Sequence, residues 1–303
     1  MKNKTVFLFP AFVLEYIGSE IQILESLGVN TNDYFKKAEE ITGYNLASFD
    51  IVNNNFLSDE LGSQYVAYII SCCASDMLKA RNIIPSYVAG YSMGLYAALY
   101  SAGCIEFDSG LEMIKRAFET IRQFTNGHHF GMGVIGGLKL ADIEEVISRH
   151  GDSIEVINSN TPETFVISGL YTEVSKALEE ATVEGAIYSK SLKVSSPYHS
   201  SFLNEAALIF LRKITVFEIK HPKIPVISAI NQKILYTKDE LLFELQGNIH
   251  CKLNWHETFC ELQKENITNY IECGAGKSLY KISRFLEGNY KFFPITKYSK
   301  LFI

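Results

Sequence analysis

The chain has 303 residues, 47% hydrophobic and 20% charged, with 20 glycines and 7 prolines; this is ordinary globular composition and excludes a disordered, collagenous or coiled-coil protein. Its 28 Lys and Arg stand against 34 Asp and Glu, a formal charge of −6, so no general positive field is available to hold a nucleic-acid backbone. Cys72, Cys73, Cys104, Cys251, Cys260 and Cys273 form no Cys-x-x-Cys pair and no zinc-type spacing with histidine, which predicts reduced thiols, no metal site and a cytoplasmic setting.

Thr5 to Phe9 is a short run of β-branched and aromatic residues stopped by Pro10, as in a buried strand that opens into a loop. It is far too short for a signal peptide, and no apolar stretch reaches the ~18 residues that cross a bilayer. Glu20 to Leu27, Asp33 to Thr42 and Gln64 to Lys79 have apolar residues at helical spacing. Val88-Ala89-Gly90 then reads as a strand and Leu95, Ala98 and Leu99 as one face of a helix, with Tyr91-Ser92-Met93 in the turn between them. Ile105 to Gln123 is a further helix, with Glu106 and Asp108 at the end where its dipole favours acids.

From about His128 to Val194 the pattern changes to strand, helix, two strands around a turn at Asn158 to Pro162, helix and strand. That βαββαβ order is ferredoxin-like and is most simply an inserted subdomain. Phe202 to Leu211 then predicts a helix, Val226 to Ile230 a strand, Asp239 to Leu245 and Trp255 to Glu265 helices, and Asn269 to Glu272 a strand ending at Gly274-Ala275-Gly276. Strand and helix alternate on both sides of the insertion, which predicts an α/β fold with a mainly parallel sheet.

Gly90-Tyr91-Ser92-Met93-Gly94 fits Gly-x-Ser-x-Gly. A nucleophile on a cramped strand-to-helix turn needs small residues two before and two after it. Its hydroxyl then projects above the sheet edge, and the Met93 N–H at the helix start points toward an anion forming on a substrate carbonyl. The alternative is a tight turn whose serine caps the following helix. A hydroxyl also needs a base, and among the seven histidines His199 stands out. It lies in the turn-rich Ser195 to Ser201, where the chain leaves the insertion for the main sheet, although a hydrogen-bonded loop histidine would fit the same stretch. Gly131-Met132-Gly133 and Gly136-Gly137 do not form a nucleotide-binding Gly-x-Gly-x-x-Gly turn.

Together these residues resemble the malonyl-CoA:acyl carrier protein transacylases and the acyltransferase domains of polyketide synthases. Phe9-Pro10 resembles the start of that family's Phe-Pro-Gly-Gln-Gly loop, and Gly90 to Gly94 its Gly-His-Ser-x-Gly turn. Asn158 to Gly169 is similar to its Asn-x-Asn-Ser-Pro strand pair, Ser196 to Leu203 to its Pro-Phe-His-Ser motif, Asn248 to Trp255 to its Gln-x-x-x-Pro-Val-x-Trp segment, and Glu272 to Lys277 to its Glu-x-Gly-Pro-Gly turn. The resemblance implies an α/β-hydrolase-like parallel-sheet core, residues 1–127 and 197–303, with the ferredoxin-like subdomain at 128–196.

It also implies that Ser92, deprotonated by His199, takes an acyl group, malonyl first, from CoA and passes it to the phosphopantetheine thiol of an acyl carrier protein. These thioesters are substrates; no bound cofactor or metal is implied, and neither nucleic acid nor membrane is a partner. The backbone N–H groups of Met93 and Phe12 would form the oxyanion hole, and the backbone carbonyl of Asn248 would orient His199. Arg116, Tyr198 and Asn160 would contact the substrate. Lys190 and Lys193 are candidates for a local basic patch facing an acidic carrier.

Three departures bear on this. Phe12 stands where the family has glutamine; Tyr91 and Leu95 replace a histidine and a glutamate; and the arginine that pairs with the malonyl carboxylate falls on Ala117, one residue after Arg116. One residue turns a helix by about 100°. If a shift brings Arg116 into the pocket, its guanidinium can hold a carboxylate. If not, a neutral acyl chain is indicated, with water a conceivable acceptor, as in an acyl-thioesterase. A non-catalytic carrier-docking protein is the third reading. Arg122 lies further along the helix and is a poorer candidate for the carboxylate.

Overall fold

The computed structural model describes residues 4–11, 16–46, 49 and 59–302. In chain order β1 (Lys4–Phe9) leads into α1 (Glu20–Ser26), α2 (Thr31–Thr42) and α3 (Glu60–Ala80). Next come β2 (Tyr87–Gly90), α4 (Gly94–Ser101) and α5 (Phe107–Thr125). A second group follows: β3 (Phe130–Gly136), α6 (Leu140–Ser148), β4 (Ile154–Thr161), β5 (Thr164–Leu170), α7 (Tyr171–Val183) and β6 (Tyr188–Leu192). The chain ends with α8 (Asn204–Ile214), β7 (Val226–Ile227), β8 (Ile234–Leu235), α9 (Lys238–His250), β9 (Leu253–Asn254), α10 (Trp255–Lys264), β10 (Ile267–Glu272), α11 (Ser278–Ser283) and β11 (Lys291–Phe293).

Six strands form the larger sheet in the order β11-β10-β1-β2-β7-β8. All neighbours are parallel except β7 and β8. The apolar run of β1 follows from its central place. Val6 and Leu8 are buried in one core cluster, Phe7 and Phe9 in another, so both faces of the strand are covered by helices. Helix α3, buried over most of its length from Gly62 to Leu78, packs on α4 and α5 and is apolar nearly all round for that reason.

The smaller sheet has the order β6-β3-β5-β4-β9. Its first four strands and two helices follow the βαββαβ order of the sequence reading, with β5 antiparallel to both β3 and β4. The fifth strand comes from elsewhere in the chain. Leu253 and Asn254 pair with Asn158 and Ser159, tying the sheet to the helices below. The short strands β8, β9 and β11 carry no periodicity of their own; β8 and β9 have two residues each. Among the described residues no helix is long and apolar enough to cross a membrane.

Candidate active site

Strand β2 stops at Gly90 and α4 starts at Gly94, leaving three residues to reverse the chain. Ser92 at their centre has φ +55°, a left-handed conformation that costs a non-glycine residue roughly 1–3 kcal/mol. Two glycines make the turn sterically feasible. A Cβ at Gly90 would collide with the Leu95 backbone, and one at Gly94 with the Phe9 carbonyl oxygen, because α4 passes directly over the end of β1. The Tyr91 N–H donates to the Phe9 carbonyl at 2.8 Å and locks the turn onto the sheet. The Met93 N–H lies at the helix start, where the first amides have no intrahelical acceptor.

His199 comes from the loop between β6 and α8, and it too has a left-handed backbone, φ +61°. Its N–H donates to the Ile249 carbonyl at 2.9 Å, and the Ser200 hydroxyl donates to the Pro197 carbonyl at 2.6 Å, which together fix the bend. The Nε2 atom then lies 2.6 Å from Ser92 Oγ. Both side chains are buried. Burial penalises the imidazolium and pushes the His199 pKa down to about 4, so the ring is neutral at pH 7 and able to accept a proton.

The Asn248 carbonyl is not the partner of this ring: Nδ1 is buried without a hydrogen bond of normal geometry among the described residues. The nearby Cys251 main chain favours the protonated ring, against the larger effect of burial. The Ile249 carbonyl, one residue past Asn248 near the end of α9, accepts the His199 backbone N–H. Asn248 itself is buried in the wall of the cavity.

That cavity, about 320 Å³ including space open to solvent, is lined by Ser92, Met93, Tyr96, Gln64, Ala117, Phe118, Ile121, Tyr198, Asn248 and Ile249. None of these residues carries a formal charge at neutral pH. Arg116 does not enter. Its guanidinium donates to the Lys213 carbonyl at 2.5 Å, stacks 4.6 Å from the centroid of Phe217 and lies 4.0 Å from Glu112. The face of α5 one residue on, Ala117, Phe118 and Ile121, is the one turned to Ser92. Arg122 lines a separate open groove with Glu119, Gln123 and Asn126.

Asn160 is built into a structural network. Its Oδ1 accepts from Tyr91 Oη at 2.9 Å and from Asn158 Nδ2 at 3.0 Å, while Asn158 Nδ2 also donates to Tyr91 Oη at 2.6 Å. The Tyr91 ring packs edge-on against Trp255, so the residue in the family's histidine position joins the serine turn to the smaller sheet. Tyr198 does reach the cavity. Phe12 lies outside the described residues.

The sequence reading missed Gln64 and, behind it, Glu60. Gln64 Nε2 donates to Tyr198 Oη at 3.2 Å and to Glu60 Oε1 at 3.4 Å, and Tyr198 Oη donates to the same carboxylate. Burial raises the Glu60 pKa, against the opposing pull of Tyr198 and Arg122. The signal was available: a glutamate and a glutamine four apart, on one face at the start of a helix whose middle is mainly apolar.

A family model for the acyl transferase domain matches residues 32–244. The malonyl CoA-acyl carrier protein transacylase of Synechocystis sp. is 28% identical over 91% of this chain and 91% of its own length. The polyketide biosynthesis protein ThaF of Burkholderia thailandensis is 30% identical over 92% of this chain, which spans 24% of that longer protein. An acyl-carrier-protein S-malonyltransferase from Burkholderia pseudomallei has the same fold, with a TM-score of 0.90 over 99% of this chain and all of its own at 24% identity.

Proposed function

Because the chain belongs to the acyl transferase domain family, we propose that it moves an acyl group, malonyl by kinship with its relatives, from CoA to the phosphopantetheine thiol of an acyl carrier protein in fatty acid or polyketide biosynthesis. The observation that carries this reading is the 2.6 Å contact between Ser92 Oγ and a neutral, buried His199. Ser92 Oγ attacks the thioester carbonyl while its proton passes to Nε2. The tetrahedral oxyanion is held by the Met93 N–H, and the sequence resemblance assigns the part of second donor to the N–H of Phe12. Collapse breaks the carbon–sulfur bond, and the CoA thiolate leaves with the proton from Nε2. In the second half, the carrier thiol gives its proton to Nε2 and attacks the serine ester; collapse breaks the ester carbon–oxygen bond, Ser92 Oγ takes the proton back from Nε2, and the acyl group departs as the carrier thioester. The Ile249 carbonyl holds the His199 backbone in place throughout.

The same reading takes the larger sheet and its helices, 1–127 and 197–303, as an α/β-hydrolase-like core, and 128–196 as a ferredoxin-like subdomain beside it. Strand β9 is where the core reaches across to that subdomain. Lys190 and Lys193 are exposed on the subdomain's edge, available to an acidic carrier. The six free thiols support a cytoplasmic setting.

Labelled malonyl-CoA should leave a malonyl ester on Ser92, detectable by peptide mass spectrometry, that is absent in Ser92→Ala and is discharged by a holo carrier protein. No label on Ser92 from malonyl-CoA would sink the malonyl assignment. A second reading, hydrolysis of a neutral acyl thioester, is favoured by one observation: Arg116 is bonded to Lys213 and Ala117 takes its place in the cavity. Free acid without carrier acylation would select it.

A further inference from the structure

Two polar side chains in the cavity wall share one anchor. An amide nitrogen offers two N–H donors and a phenol one. Here all three are committed: Gln64 donates to Glu60 and to Tyr198, and Tyr198 donates to Glu60. Neither Gln64 Nε2 nor Tyr198 Oη therefore has an uncommitted hydrogen to offer an acyl group. A carboxylate placed there meets acceptors in front of it and the Glu60 carboxyl behind them, with no cation among the described residues lining the cavity; Arg122, whose charge reaches Glu60, lies in the neighbouring groove. An uncharged acyl chain loses little against the same wall, whose remaining surface beside Ser92 is Met93, Tyr96, Ala117, Phe118, Ile121 and Ile249, with Asn248 its one further side-chain amide.

We propose that Glu60 is a positioning residue for acyl selection: by holding the donors of Tyr198 and Gln64 it relaxes the preference for a carboxylated acyl group, so that propionyl-sized neutral groups are accepted beside malonyl. This rests on the acyl-serine reading given above. Glu60 itself is not among the residues lining the cavity; it acts through the two side chains that are. Substituting its carboxylate by an amide removes the charge and supplies N–H groups, leaving Tyr198 and Gln64 able to turn a donor toward the substrate.

The test is competition between labelled malonyl-CoA and propionyl-CoA for Ser92, read as the ratio of the two kcat/KM values for ester formation. In the native protein the two should lie within about tenfold of each other, and in Glu60→Gln the malonyl-to-propionyl ratio should rise about tenfold. A purely structural role would lower both rates together and leave their ratio alone. An unchanged or lower ratio overturns the proposal, as does a native enzyme that excludes propionyl by more than about tenfold. That second measurement stands even if Glu60→Gln does not fold. Labelling by neither thioester sinks the acyl-serine reading, and this proposal with it; labelling by both at an unaltered ratio sinks this proposal alone.

Discussion

Ser92 and His199, 107 residues apart in the chain, meet at 2.6 Å with both backbones in the left-handed region, at φ +55° and +61°. Each conformation is unfavourable for a side chain with a Cβ and persists because neighbouring hydrogen bonds over-determine it. Ser92→Gly should therefore abolish ester formation and at the same time stabilise the protein by about 1 kcal/mol, through relief of the turn. Thermal or urea unfolding of the pure variant checks this. A Ser92→Gly protein less stable than the native one would show that the serine hydroxyl anchors the turn and is not strained by it.

The depressed pKa of His199 has two consequences with the same sign. Ester formation should be flat across pH 6 to 8 and fall only as pH approaches about 4, because only the neutral ring can accept the serine proton. Between the ordinary value of 6.5 and about 4 the unfolded chain protonates this histidine and the native chain does not, so acidification through that window weakens the fold. The full effect is on the order of 3 kcal/mol. Buried Glu244 and Glu272, both pushed up to about 7, act oppositely in that range, since they hold protons in the native state that the unfolded chain releases. The informative measurement is thus a difference: urea midpoints of the native protein against His199→Gln at pH 6.5 and 4.5, with the native protein losing more on acidification.

Arg116 and Ala117 make a pair of opposite predictions. Arg116→Gln should leave acylation of Ser92 within about threefold while costing about 1 kcal/mol, the hydrogen bond to Lys213 and the stacking on Phe217 being lost between α5 and α8. Ala117→Arg would place a guanidinium on the cavity face of the same helix and should raise malonyl ester formation relative to propionyl by about tenfold or more. Competition labelling of both variants separates the two residues. A loss of malonyl label in Arg116→Gln alone would mean that the arginine swings into the cavity when substrate binds.

The glycine after the serine turn is a steric requirement. Gly94→Ala pushes a methyl group into the Phe9 carbonyl at the end of a central strand, and neither strand nor helix has room to yield. We expect destabilisation of about 3 kcal/mol or more, seen as loss of soluble protein or a large drop in unfolding midpoint. Gly28→Ala is the control, with open space around its Cβ but φ +83°, and should cost about 1 kcal/mol from backbone conformation alone.

Amphipathic spacing, the apolar run of β1 and the Gly-x-Ser-x-Gly spacing were legible in the sequence because each is a local property of consecutive residues, set by backbone geometry and steric fit. They were enough to locate the parallel sheet, the βαββαβ segment and the turn that carries Ser92. His199 was singled out as a loop residue at a junction, but its neighbour across the cavity is a long-range fact. The direction of Arg116 was beyond the sequence: Ala117 and Arg116 differ by one step around α5, and which of them faces Ser92 depends on how that helix packs against α3 and α8. The same holds for the carbonyls near His199, for Asn160 and for Glu60, whose partners come from distant segments. Side-chain chemistry names the groups available; only the packing of helices on the sheet decides which of them meet.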